Sequence, residues 1–101
     1  MQGLIQDGAK VNGKKNGLTG LHEASRLGHN PIIKSLIVNN ANIDEKDDHK
    51  GKTPLIYAAS EGQTLVVKTL LLSGADDKIE DEDGNNAYSN TTDDDVKAIL
   101  E

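Results

Sequence analysis

The chain has 101 residues, with no cysteine, no Trp, no Phe and only two Tyr. That length supports one small domain; its core has to be built from Leu, Ile, Val and Ala, and disulfide or thiolate chemistry is excluded. The net charge of −6 is uneven, because residues 76–101 carry ten acids and two bases, net −8, and residues 1–75 therefore carry +2; so acidic a chain is not expected to bind nucleic acid.

In chain order, Leu4-Ile5 followed by Gly8-Ala9 reads as the last turn of a helical unit. A polar stretch with Gly13 and Gly17 follows, and Thr19 starts a helix over about Gly20–Leu27 that Gly28 closes. Asn30 as cap and Pro31 in the first turn start a second helix, which carries Ile32, Ile33, Leu36 and Ile37 inward. Asn40 ends it, the residue best suited after glycine to a left-handed position. Another polar segment leads to Thr53-Pro54, a cap followed by proline at the first helical position, and a short helix over about Pro54–Glu61 ends at Gly62. The next helix, roughly Thr64–Ser73, places Leu65, Val66, Leu70 and Leu71 on one apolar face and stops at Gly74. Ala75–Gly84 is a turn-rich extension in which Asp83-Gly84 is a hairpin signal. Asn86-Ala87-Tyr88 then opens a worn copy whose second helix takes Val96, Ile99 and Leu100 inward, with Asp93-Asp94-Asp95 at its start, where acids favour the helix dipole.

These elements repeat. Thr19 and Thr53 lie 34 residues apart, and so do Gly28 and Gly62, Ile32-Ile33 and Val66-Val67, Leu36-Ile37 and Leu70-Leu71, and Ala41 and Ala75. A fixed period of this size marks a stack of units, each burying its apolar face on the next. The pattern Thr53-Pro54-Leu55-x-x-Ala58-Ala59, with Leu21-His22-x-Ala24 in the other copy, resembles the ankyrin repeat. The resemblance implies an all-α ankyrin-repeat solenoid of stacked helix-turn-helix units joined by β-hairpin-like finger loops. The expected division is an upstream repeat end and finger over 1–18, full repeats over 19–52 and 53–85, and a degenerate acidic cap over 86–101. The start of the chain lacks a polar cap, which points to a piece of a longer array or a weak upstream repeat. The second finger is longer than the third, since Ala41 to Thr53 is twelve residues and Ala75 to Asn86 eleven, and the extra residue falls within Glu45–Lys50.

Catalytic readings fail on the residues. His22, Glu23 and Ser25 share one helix, where close neighbours point in different directions; the resemblance implies instead that His22 bonds backbone and steadies the turn. His29 reads as a loop or capping residue and His49 as part of a finger tip. The three histidines have no metal-ligand spacing, and Glu80–Gly84 lacks the ligand order of a calcium loop and reads as a solvated finger. No phosphate-cradling Gly-Lys-Ser/Thr loop is present, and Tyr57 and Tyr88 make a poor aromatic cage. No cofactor, metal or small-molecule ligand is expected. The apolar runs, such as Leu70-Leu71-Leu72, are too short to cross a membrane, Met1-Gln2-Gly3 opens no signal segment, and an intracellular setting, cytoplasmic or nuclear, is expected.

The resemblance implies a partner protein or peptide held in a concave groove of finger tips and inner helices. One stripe comes from each repeat: Lys15, Asn16, Leu18, Glu23, Arg26 and Leu27; then His49, Lys50, Lys52, Tyr57, Ser60 and Glu61; then Glu82, Asp83, Asn85 and Asn90. Leu18, Leu27 and Tyr57 are the apolar anchor candidates, and the stripes run from basic to acidic. The leading expectation is an interaction module of a larger intracellular scaffold or regulatory protein. The alternatives are a chromatin or transcription-complex subunit that receives a basic tail on its acidic stripe, and a purely structural spacer.

Overall fold

The computed structural model describes residues 11–101. The expected repeat end at Leu4–Ala9 lies outside them. Five helices follow one another: α1 (Gly20–Leu27), α2 (Asn30–Val38), α3 (Pro54–Ser60), α4 (Thr64–Leu72) and α5 (Asp94–Leu100). There is no strand among the described residues; an isolated bridge joins Lys15 and Leu18. The inner helices α1 and α3 pack on each other, the outer helices α2 and α4 do the same, and α5 closes against α4.

Local chemistry explains the boundaries. Thr19 Oγ1 accepts the His22 N–H while the Thr19 N–H donates to His22 Nδ1, a reciprocal cap on α1. Thr53 Oγ1 accepts the Ile56 N–H on α3, and Asp93 accepts from the Asp95 and Val96 N–H groups on α5. Gly28 turns the chain between α1 and α2 at φ +79, and a Cβ there would stand 2.6 Å from Gln63 Oε1. Glycine thus serves both the left-handed turn and the close approach of Gln63, whose amide donates to the Arg26 carbonyl across the stack. Asn40 takes φ 73, as its place in the repeat predicts.

The core consists of side chains that are almost wholly covered. Leu21 and Ile33 of the first helix pair meet Leu55, Ile56, Ala58, Ala59, Val66, Val67 and Leu70 of the second, and Ala87 and Val96 extend the core into the C-terminal end. Ala58 and Ala59 are 0% exposed, and such small side chains let adjacent helices come close.

Three expectations need correction. Ile32 is 51% exposed, whereas Val66, its counterpart, is 1% exposed. The helix of Val66, α4, packs closely on three others, α2, α3 and α5, whereas α2 packs closely on only two among the described residues, α1 and α4. Leu65 is 62% exposed because the buried arc of α4 runs through Val66, Val67 and Leu70 and leaves Leu65 outside. Asn30 does not cap α2 but lies inside its first turn, turned inward and 8% exposed; the chain bends one residue earlier, where the Asn30 N–H donates to the Gly28 carbonyl. The worn third copy keeps its second helix, but its first is reduced to a turn in which the Asn90 N–H reaches the Asn86 and Ala87 carbonyls. Too few residues separate Asn86 from Asp93 for another helix.

The burial pattern gives a graded expectation. Leu70→Ala should cost about 2–5 kcal/mol in urea unfolding, while Leu72→Ala, at an 89% exposed position, should stay within about 0.5 kcal/mol of wild type. Ser25 is fully buried and its hydroxyl has no partner, and the matching residue of the next repeat is Ala59. Ser25→Ala should therefore leave stability equal or higher. A clear loss at Ser25 or at Leu72 would contradict this core.

Candidate partner-binding face

Three fingers carry the tips of the expected stripes, and two of them are built around a buried carboxylate. Asp47 is 5% exposed and its Oδ1 accepts the N–H groups of His49, Lys50 and Lys52, at 3.3, 3.1 and 3.0 Å. Its Oδ2 accepts the Tyr57 hydroxyl. Asp81, 34 residues on and 7% exposed, accepts the Asp83 and Asn85 N–H groups at 3.0 Å each and the Asn90 amide at 3.2 Å. The carboxylate thus folds the finger back, and one residue of the following inner segment holds its far oxygen. The Asp47 N–H donates to the Lys52 carbonyl and the Asp81 N–H to the Asn85 carbonyl, so the extra residue of the second finger lies in its tip, 48–51. In the first finger Lys15 makes the matching bond to Leu18 and no carboxylate is present.

The fingers are bonded to one another. The Asp48 N–H donates to the Gly17 carbonyl at 3.0 Å, His49 Nε2 to the Asn16 carbonyl at 2.6 Å, and the Glu82 N–H to the Lys50 carbonyl at 2.9 Å. A Cβ on Gly17, at φ +82, would stand 2.8 Å from His49 Nε2. Lys14 reaches Asp48 at 2.8 Å and Glu45 at 3.2 Å.

His22 ties α1 to the following finger. Its ring is fully buried, Nδ1 accepts the Thr19 N–H at 3.0 Å, and Nε2 faces the carbonyls of Glu45 (2.8 Å) and Lys52 (3.0 Å). That network assigns the proton to Nε2. Tyr57 meets the ring edge-on at 5.6 Å between centroids, and the Lys52 ammonium stands 5.9 Å from the Tyr57 centroid.

The expected site residues fall out as follows. Lys15, Asn16, Leu18 and Glu23 share one hollow with Gly13, Thr19 and Gly20. Glu23 pairs with Arg26 at 2.6 Å, one turn along α1. Leu27 is 50% exposed at the helix end. Lys50, Ser60, Glu61, Glu82, Asp83 and Asn85 are exposed. His49 is exposed, but its Nε2 is committed to the neighbouring finger; Tyr57 and Lys52 are half-buried, and the Tyr57 hydroxyl is committed to Asp47. The expectation of a wholly solvated acidic finger needs correction at Asp81, which is buried and bonded. Sequence reasoning passed over Asp47 and Asp81, although each stands six residues after the alanine that closes a repeat. Among the described residues no group of three or more His, Cys, Asp and Glu is placed to hold a metal, and no helix is long and apolar enough to cross a membrane.

Two pH windows follow. Burial pushes the His22 imidazole below its usual range, against the pull of the Glu45 and Lys52 carbonyls. Below about pH 6.5 the unfolded chain therefore takes up a proton that the fold refuses, and stability falls as pH falls. Thermal melting should decline from pH 7 to pH 5 in wild type and be flatter in His22→Gln; equal slopes would contradict the assignment. Burial opposes ionisation of Asp47, but the Tyr57 hydroxyl and the Lys52, Lys50 and His49 N–H groups outweigh it and hold the carboxyl below its ordinary range. For Asp81 burial is likewise outweighed, by the Asn85 N–H, the Asn90 amide and the Asp83 N–H. Their contribution is complete above about pH 4 and is lost as pH drops through the lowered values.

Asp47→Ala leaves three N–H groups without an acceptor and should cost about 1–3 kcal/mol in urea unfolding. Tyr57→Phe, which removes one hydroxyl and leaves those three bonds, should cost less; the reverse order would remove Asp47 from the centre of the finger.

A family model for ankyrin repeats, three copies, matches residues 1–81. The ankyrin repeat protein nuc-2 of Neurospora crassa is 40% identical over 80 residues, covering 78% of this chain and 8% of that protein. Ankyrin repeat and SAM domain-containing protein 6 of Mus musculus is 36% identical over 78 residues, 77% of this chain and 9% of that protein. Protein phosphatase 1 regulatory subunit 27 of Homo sapiens is 35% identical over 86 residues, 85% of this chain and 54% of that protein. The chain thus spans only part of the relatives it matches. Ankyrin repeats are generally protein-interaction modules and typically non-enzymatic. With the repeat in the sequence, the helix pairs in the fold and the family match all in agreement, this chain belongs to the ankyrin repeat family.

Proposed function

We propose that this chain is the interaction module of a larger intracellular scaffold or regulatory protein, and that it holds a segment of a partner protein along the finger tips and inner helices. The observation that carries the reading is the division of labour in the fingers. Buried Asp47 and Asp81 and the finger-to-finger bonds fix the backbone, while Lys15, Lys50, Glu82, Asp83 and Asn85 stay exposed at the tips. A surface ordered in advance avoids the entropic cost of ordering it on contact. In the proposed division, 1–18 is the end of an upstream repeat with its finger, 19–52 and 53–85 are full repeats and 86–101 caps the array, and the stripes across them run from basic (Lys15, Arg26, Lys50) to acidic (Glu82, Asp83). The mechanism is presentation: no bond is made or broken, and no nucleic acid, membrane, cofactor or small molecule takes part.

One observation favours a narrower second reading. Glu82 and Asp83 are exposed and make no ion pair among the described residues, which suits a basic tail of the kind that a chromatin or transcription complex would present. One capture experiment separates the readings. The chain is used as bait in cell extract beside a Lys15→Glu/Arg26→Glu/Lys50→Glu variant and a Glu82→Lys/Asp83→Lys variant. A partner lost only from the first variant supports the basic stripes, and one lost only from the second supports the basic-tail reading. Equal capture by all three folded proteins would overturn the finger face as the site and favour the structural spacer.

A further inference from the structure

The side of the stack away from the fingers has its own chemistry. On α4, Leu65, Lys68 and Leu72 are exposed at positions i, i+3 and i+7, one helix face. Thirty-four residues earlier, on α2, Pro31, Lys34 and Val38 stand at the same repeat positions and are exposed too. Leu72 and Val38 are 89% and 79% exposed, more than any other large aliphatic side chain described. This exposure is not an end effect: α4 has α2 on one side and α5 on the other, and Leu65 and Leu72 are still uncovered.

The charge on this face is also unlike the rest of the chain. Of 17 acidic residues, none stands between Glu23 and Asp44 or between Glu61 and Asp76. Lys34 and Lys68 make no ion pair among the described residues, whereas Lys14 and Arg26, on the finger side, do. Two parallel rows, each apolar–lysine–apolar, therefore lie side by side on packed helices in a protein of net charge −6. A solvated surface needs neither the aliphatic side chains nor the exclusion of acids.

We infer that the outer faces of α2 and α4 form a second docking surface, for an acidic partner segment with aliphatic anchors. Its carboxylates meet Lys34 and Lys68, and its apolar side chains cover Leu65, Val38 and Leu72. The spacing of the rows sets one lysine per repeat, so a segment crossing both helices gains two ion pairs framed by apolar contact, which discriminates against basic or purely polar segments. The surface does not depend on the finger face, and either could be occupied alone.

The test uses the whole chain, isotopically labelled, titrated by NMR with a synthetic helical peptide of glutamates and leucines and with the same peptide carrying lysine for glutamate. The expected result is binding of the acidic peptide alone, weakened by salt, with shifts centred on α2 and α4. Lys34→Glu/Lys68→Glu should weaken it by about tenfold or more, and Val38→Ser/Leu72→Ser, at positions exposed enough to leave the fold intact, should weaken it too. Lys15→Glu/Lys50→Glu changes net charge equally on the finger side and should leave it unchanged. Loss of binding in that control, or shifts centred on the fingers, would overturn the surface while leaving the finger reading standing. Binding of both peptides alike would reduce it to a non-specific apolar patch. Stronger binding to anionic lipid vesicles than to the peptide, abolished by Lys34→Glu/Lys68→Glu, would reassign the face to a membrane. Concentration-dependent dimerisation abolished by the same change would reassign it to a second copy of this chain.

Discussion

No helix pair of this chain can bury its own apolar face, and everything else follows from that constraint. With no Phe or Trp, burial is divided among Leu, Ile, Val and Ala side chains, each contributing a little and only in contact with the next repeat. Ile33 at one level, Val67 and Leu70 at the next and Val96 at the last are all 0% exposed. A lost methyl group at one level is thus a loss shared by two repeats. Folded stability is a small difference between large opposing terms, so the polar groups crossing between repeats matter beside the aliphatic contacts. His22, Gln63 and the finger backbone each bond a neighbouring unit and fix the register in which the aliphatic side chains meet.

What could be read from the sequence was what is decided locally. Thr19, Thr53 and Asp93 cap helices as expected, and Asn40 and Gly74 adopt the positive φ that their places in the repeat require. A cap or a left-handed turn depends on its own few residues, so one sequence suffices. Ile32 and Leu65 were misread because a pair of adjacent branched residues looks the same whichever member faces inward. Which member is covered is set by what packs on the helix, and α2 packs closely on α1 and α4 alone among the described residues, whereas α4 packs on α2, α3 and α5. Asp47 and Asp81 were overlooked because an acid in a polar, glycine-rich stretch ordinarily faces water. The signal was their recurrence at 34 residues, the same signal that revealed the helices.

The buried carboxylates also explain how fingers of different length keep one architecture. Four residues separate Asp47 from Lys52 and three separate Asp81 from Asn85, yet both aspartates receive two or more backbone N–H groups and close the same bond across the loop base. The acceptor fixes the base and leaves the tip free to vary. The partner group can vary as well: a tyrosine hydroxyl in one repeat and an asparagine amide in the next supply the last donor. In the first finger the aspartate is replaced by Lys15 and the tyrosine by Glu23, and Glu23 turns to Arg26 instead. Lys15 is thereby left at the surface, so the same substitution that removes an internal support supplies an exposed charge.

The two sides of the stack consequently differ in kind. On the finger side, charged groups are abundant and many are already engaged, so a partner docking there as proposed would compete with internal pairs such as Lys14–Asp48 and Arg26–Glu23. Exposed pairs of this sort are worth little, so exchanging one is cheap and selectivity comes from the arrangement of several. On the outer side Lys34 and Lys68 make no ion pair among the described residues and stand among exposed aliphatic side chains, so a contact made there would compete with water alone. A ligand docking there as inferred would gain from apolar burial as well as from charge, and the burial term does not fade with salt. If both proposed faces bind, the ionic-strength dependence of binding would distinguish them, with the finger side the more sensitive.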